Sequence, residues 1–311
     1  MDKLYLDDDR NNVIYSSFKP DCKYRDDSFS NIDIKYREYV NYFYRKLKLG
    51  IGDKYLDLFF NNIGDVKIKK NVLMGIVYDT IHSFTYASYD ITKNSIFLYR
   101  NKFSSSDLYH ELLHLSSSFY LPNKNICYCG LSQNNDSMSI GTAINEGYTE
   151  YLCSLLFGID NNSYYQYEMV VIQLLELIVG PNNMKDIYFS GDTYGLFNIL
   201  LDLNSFSRVR NFFSKTDYIL DKRKGNIINK EKINKYMFDV NFFLIDTYRN
   251  LLVKLYNNCS ISSIELYELY RLFMDNIRVL LDIELPINKD ILSMNISDND
   301  NLHMNKIKRL I

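Results

Sequence analysis

Apolar and polar positions alternate in three different textures along the chain. Residues 1–30 are polar and irregular, rich in Asp, Asn and Ser, and read as a loosely held arm. From Ile32 to about Ile63 apolar and aromatic residues return at helical spacing (Tyr36, Tyr39, Val40, Phe43, Tyr44, Leu47), and Gly50 to Gly52 break the run into two helices. Between Val66 and Tyr99 the pattern shifts to short β-rich runs at 72–78, 82–89 and 95–99. Asp90 and Lys93-Asn94 supply the turn chemistry that makes the last two a hairpin. Helical periodicity then dominates, over 105–119, 141–157, 164–180, 192–203, 205–219, 230–257 and 261–282. The segment 222–226 reads as an exposed linker. The end, 286–311, is polar again, and its basic residues Lys306, Lys308 and Arg309 read as a solvated tail. The pattern predicts an α+β, mostly helical fold: an irregular arm (1–30), a region with a small sheet (31–205), a helical C-terminal region (206–285) and a polar tail (286–311).

Composition narrows the function classes. The 311 residues are 47% hydrophobic, enough for a sizeable core, and the formal net charge of −2 gives no general attraction to nucleic acid or an anionic membrane. The 28 tyrosines, set against four prolines and no tryptophan, look like coding bias, so abundant tyrosine carries no functional weight. The beginning of the chain lacks the basic, apolar and small-residue regions of a secretory signal. The longest apolar stretch, 169–179, is interrupted by Gln173 and Glu176 and falls short of the roughly 20 residues a membrane span needs. Five cysteines, an odd number, fit reduced thiols better than a disulfide framework. A cytoplasmic protein without a transmembrane segment is the expectation.

One segment carries chemistry. Ser104 and Asp107 have the spacing of a capping box, so a helix starts near Ser105, and His110-Glu111-Leu112-Leu113-His114 follows within it. Four residues advance a helix by about 6 Å and return to nearly the same face, so two imidazoles can reach one ion. This is the H-E-x-x-H arrangement, with two zinc-holding histidines and a glutamate beside the metal. With four His and ten Glu in the chain, chance places such a motif in roughly two of a thousand chains of this composition. A catalytic zinc needs a third protein ligand and an open position. His82 and His303 are the remaining histidines. The segment Gly141-Thr142-Ala143-Ile144-Asn145-Glu146-Gly147-Tyr148-Thr149-Glu150 offers Glu146 and Glu150 on one helix face.

Together, His110-Glu111-Leu112-Leu113-His114 and Asn145-Glu146-Gly147-Tyr148-Thr149-Glu150 resemble the gluzincin branch of the zinc metallopeptidases, within the thermolysin-like superfamily. The close match covers residues 104–153. The resemblance implies a zincin-like catalytic unit of a small sheet and two metal-bearing helices, and one Zn2+ per chain. It implies His110, His114 and Glu146 as ligands, Glu111 as general base towards the attacking water, and Glu150 as a carboxylate that orients a ligating histidine. A peptide or protein substrate follows, aligned along an edge strand for which 95–100 is the expected segment. Relatives often use a downstream Tyr or His to stabilise the oxyanion, and Tyr188 and Tyr194 are the candidates here. The alternative is a regulatory or binding module that keeps the zinc site without general proteolysis.

Other signals are weaker. Cys127-Tyr128-Cys129 lies in an Asn- and Ser-rich connection between the two metal-bearing helices, expected to be a loop with free thiols and a candidate lid over the cleft. Gly50-Ile51-Gly52 lacks the third glycine and the preceding strand of a dinucleotide site. Neither G-x-S-x-G nor a P-loop occurs.

Overall fold

The computed structural model describes residues 28–71, 86–99, 104–135, 138–158, 165–224 and 229–281. The expected strand at 72–78, residues 82–85 of the next run, His82, His303, Cys22 and the tail at 286–311 lie outside the described residues. The architecture is mostly helical α+β, with two small sheets and a helical C-terminal half.

Helix α1 (Ile34–Ile51) buries Tyr36, Val40, Phe43, Tyr44 and Leu47, the stripe its periodicity predicts, and stops at Gly52. A short 3-10 turn leads into α2 (Asp57–Ile63). Phe29, assigned by its polar surroundings to the arm, is instead buried and meets Tyr44 and Phe59 edge-on. Strands β1 (Lys67–Lys70), β2 (Ala87–Asp90) and β3 (Ser95–Leu98) form the first sheet in the order β1-β3-β2. The expected hairpin is present, with Ser88 opposite Phe97. The register of β1, parallel to β3, corrects one expectation: 95–98 is the central strand, so it has no free edge, and among the described residues β2 is the edge strand, packed against the next helix.

That helix, α3 (Ser105–Ser116), is followed by an antiparallel meander: β4 (Ser118–Leu121), β5 (Ile126–Cys129), β6 (Ser132–Asn135) and β7 (Met138–Ile140). The connection expected to be a loop is therefore a second, four-stranded sheet. Helices α4 (Thr142–Phe157), α5 (Gln166–Val179), α6 (Pro181–Ser190), α7 (Thr193–Leu201), α8 (Phe206–Lys224), α9 (Lys230–Asn257) and α10 (Ser263–Leu281) complete the described residues. The short α6 escaped the periodicity reading, although Pro181 after Gly180 is a helix-start signal. Helix α8 extends into the segment read as a linker, as far as Lys224, and 225–226 lie outside the described residues. Arg223 there pairs with the buried Glu168 carboxylate at 2.9 and 3.0 Å, so part of that segment is anchored instead of exposed. One large apolar cluster joins side chains from Phe29 to Ile277, and a small second one gathers Leu58, Phe119 and Tyr128. Among the described residues, no helix is long and apolar enough to cross a membrane.

Two features fix α4. Its start, Gly141, sits at φ 79°, where a Cβ would lie 2.3 Å from the Leu131 carbonyl, and it brings no side-chain cap of its own. Asp217 of α8 supplies the cap across the fold, accepting the Gly141 N–H at 2.9 Å and the Ala143 N–H at 2.8 Å. Farther along, Gly147 lets α5 ride close, because a Cβ there would meet the Glu168 backbone at 2.6 Å.

Gly147→Ala should lower the thermal midpoint by several degrees, because overpacking of about 1–3 kcal/mol outweighs the roughly 1 kcal/mol of helix propensity gained. An unchanged or raised midpoint would contradict the close crossing. Asp217 offers a pH test. Burial raises its carboxyl to about 6 from 3.8, against the lowering effect of the backbone N–H groups it accepts. A raised folded-state pKa gives stability that is present below 3.8 and lost as pH rises through 6. The unfolding free energy of wild type minus that of Asp217→Asn should therefore fall by about 2–3 kcal/mol between pH 4 and 7. A difference independent of pH would contradict the buried cap.

Candidate metal centre

Helix α3 opens with the capping box its sequence predicts: Ser104 Oγ accepts the Ser106 N–H at 3.0 Å, and Asp107 Oδ2 accepts the Ser104 N–H at 3.1 Å. Its far end is tied down by hydroxyls. Ser116 Oγ donates to the Leu112 carbonyl at 2.5 Å and Ser118 Oγ to that of His114 at 2.7 Å, while Asn62 Nδ2 donates to the Leu115 and Ser118 carbonyls. Between these fixed ends stand His110 and His114, one turn apart, with ring centroids 4.7 Å from each other.

Helix α4 packs across α3 and presents Glu146 and Glu150, also one turn apart. His110 lies between them: its Nε2 is 3.2 Å from Glu146 Oε2 and its Nδ1 is 3.0 Å from Glu150 Oε2. His114 Nε2 is 3.1 Å from His110 Nε2 and 3.7 Å from Glu146 Oε2. The structure thus brings His110, His114 and Glu146 into one group able to hold a metal ion.

The fit to zinc is testable by distance. A tetrahedral ion with ligand bonds of about 2.0–2.1 Å keeps neighbouring ligand atoms about 3.3–3.4 Å apart. The three observed edges of 3.1, 3.2 and 3.7 Å bracket that value. The electrostatics point the same way. Burial alone would lower the His110 imidazole, but hydrogen bonds to Glu146 and Glu150 raise it to about 9, so the site favours positive charge where the ligand atoms meet. The His110, His114 and Glu146 side chains are 10–17% exposed.

Glu111 is buried beside this group and makes no hydrogen bond to another described residue. Burial raises its carboxyl, opposed by the neighbouring His110 and His114 charges. A buried carboxyl with a raised pKa is suited to take up a proton.

The tyrosine at the site is neither of those expected. Tyr188 is fully buried behind His114, its hydroxyl 2.8 Å from Thr149 Oγ1, on the side away from the ligand atoms. Tyr194 stands on α7, which packs on α6 and α8. Tyr165, just before α5, stacks on His110 with centroids 5.8 Å apart and planes at 13°, and its hydroxyl hydrogen-bonds Glu146. Burial and the Glu146 charge raise its phenol far above the usual range. Composition hides one tyrosine among 28. Gly147 admits the start of α5 to the face of α4, but a lone glycine in the sequence does not single out Tyr165.

The second sheet places Cys129, at the end of β5, against His114. Cys127, Cys129, Cys153 and Cys259 are all free thiols. Comparison with known proteins found no matching family model, no matching curated protein and no matching solved structure.

Proposed function

We propose that the chain is a zinc-dependent hydrolase, most simply a metallopeptidase of gluzincin type acting on peptide or protein substrates. The observation that carries the proposal is the convergence of two imidazole nitrogens and one carboxylate oxygen at tetrahedral spacing beside the buried Glu111 carboxyl. His110, His114 and Glu146 are the residues that would hold the ion. Zinc bound there supplies Lewis-acid polarisation of a carbonyl and brings the pKa of water towards neutrality.

The protein's own groups supply the rest. Glu111 takes the proton of the attacking water on a carboxylate oxygen and delivers it to the nitrogen of the leaving amine. Its raised pKa suits it to hold the proton between the two transfers. Glu150 accepts the Nδ1–H of His110 at 3.0 Å, which leaves Nε2 as the ligating nitrogen. Tyr165 has its hydroxyl at Glu146 and its ring on His110, and turning that O–H from Glu146 towards the substrate would give the developing oxyanion a donor. Strand β2 replaces β3 as the aligning edge. Because the Tyr99 N–H donates to the Tyr86 carbonyl, the alternation of an antiparallel pair turns the backbone groups of Ala87 and Tyr89 outward, available to an extended peptide.

Purified protein should carry close to one zinc per chain by elemental analysis, lost on chelation and in His114→Ala. Zinc affinity should fall most in Glu146→Gln and by roughly 10- to 100-fold in Glu150→Gln. Glu111→Gln should keep the metal while losing about 10²- to 10⁴-fold in the appearance of new termini from a peptide library. Glu111→Gln that retains zinc and full activity in every cellular assay would favour the regulatory-module reading. A wild type that takes up no metal would contradict both.

A further inference from the structure

The geometry points to Cys129 as the positioning residue that fixes the His114 imidazole for metal binding, an inference that rests on the zinc reading above. For Nε2 to bind an ion, Nδ1 must carry the ring proton and needs an acceptor. His110 has a carboxylate for this purpose. Around His114 Nδ1 lie three polar atoms instead: Asn145 Nδ2 at 3.3 Å, Cys129 Sγ at 3.4 Å and Thr149 Oγ1 at 3.5 Å.

Their other bonds decide between them. Asn145 Oδ1 accepts the Leu131 N–H at 3.0 Å, which orients the amide so that its NH2 faces the ring, and an NH2 cannot accept. Thr149 donates to the Asn145 carbonyl at 2.8 Å and is engaged by the Tyr188 hydroxyl at 2.8 Å. Its remaining lone pair is at the outer limit for an N–H···O bond. Sulfur is larger, so 3.4 Å is close contact for an N–H···S bond, and Cys129 Sγ has lone pairs to give.

The thiol also has somewhere to donate, with the His114 carbonyl 3.8 Å away, and the Asn145 NH2 approaches the sulfur at 3.6 Å. Cys129 Sγ therefore bridges the ring and the backbone of one histidine. The site is made for it. Cys129 is buried, and its cross-strand neighbours are Ser118 and Ser132, small side chains that leave room for sulfur. Cys129 is not a ligand of the same ion, because it touches Nδ1 and the ligand group meets at Nε2.

The test compares Cys129→Ser, which keeps an acceptor, with Cys129→Val and Cys129→Ala, which remove it with and without filling the space. Zinc affinity by chelator competition, the thermal midpoint of the metal-free protein and the proton NMR signal of His114 Nδ1–H in the zinc-loaded protein are read for each. Ser should stay within about fivefold of wild-type affinity, and Val and Ala should weaken zinc binding by roughly 10- to 100-fold, the usual cost of losing a ligand's hydrogen-bond partner. The slowly exchanging Nδ1–H signal should persist in wild type and Ser and vanish in Val and Ala. Wild-type affinity in all three variants, or an equal fall in all three, would overturn the assignment while leaving the zinc reading intact. A wild type that binds no zinc would overturn the zinc reading and this inference with it.

Discussion

Everything at the centre of this fold depends on placing His110 between Glu146 and Glu150 in a part of the molecule where water is scarce. With Glu111 close by, three carboxylates crowd two imidazoles, and buried carboxylates are costly unless positive charge or hydrogen bonds answer them. Against the lowering effect of burial, hydrogen bonds to Glu146 and Glu150 raise the His110 imidazole, in the direction that favours positive charge in the cluster. A divalent ion held there would be shared by the His110, His114 and Glu146 ligand atoms at once.

Such a cluster holds only if two helices meet in the right register, and the rest of the chain supplies that register. The serines after α3 and Asn62 from α2 fix the end of the histidine helix. Asp217, from α8, fixes the start of the glutamate helix, so the C-terminal helices reach the site through an N-terminal cap instead of through a ligand. Gly147 brings α5 close, and the residue ahead of α5 is Tyr165, which closes one side of His110. The meander between the two helices contributes Cys129. The two imidazoles are consequently held differently, one by a carboxylate and the other by a thiol with a hydroxyl behind it.

The sequence made the local features legible and left the long-range ones hidden. The helix start at Ser104, the turn spacing of His110 and His114 and the pairing of Glu146 with Glu150 are all encoded within a few residues, where helix geometry dictates the outcome. The same holds for the hydrophobic stripe of α1 and the hairpin at 87–98. The cap from Asp217 joins residues more than seventy positions apart, and no local pattern announces such a contact. The meander was missed because its strands are short and carry Asn, Gln and Ser, residues that read as loop. The central place of β3 was missed because its parallel partner β1 is Lys-rich. Tyr165 depends on how closely α5 approaches α4, which is a matter of packing.

The central claim is that two imidazoles and one carboxylate hold a metal ion, with the thiols kept outside its coordination. X-ray absorption at the zinc edge of the zinc-loaded protein tests it most directly. The account predicts nitrogen and oxygen neighbours at about 2.0–2.1 Å, with the outer-shell scattering of two imidazole rings and no sulfur. A sulfur neighbour at about 2.3 Å, or a spectrum without imidazole scattering, would contradict it.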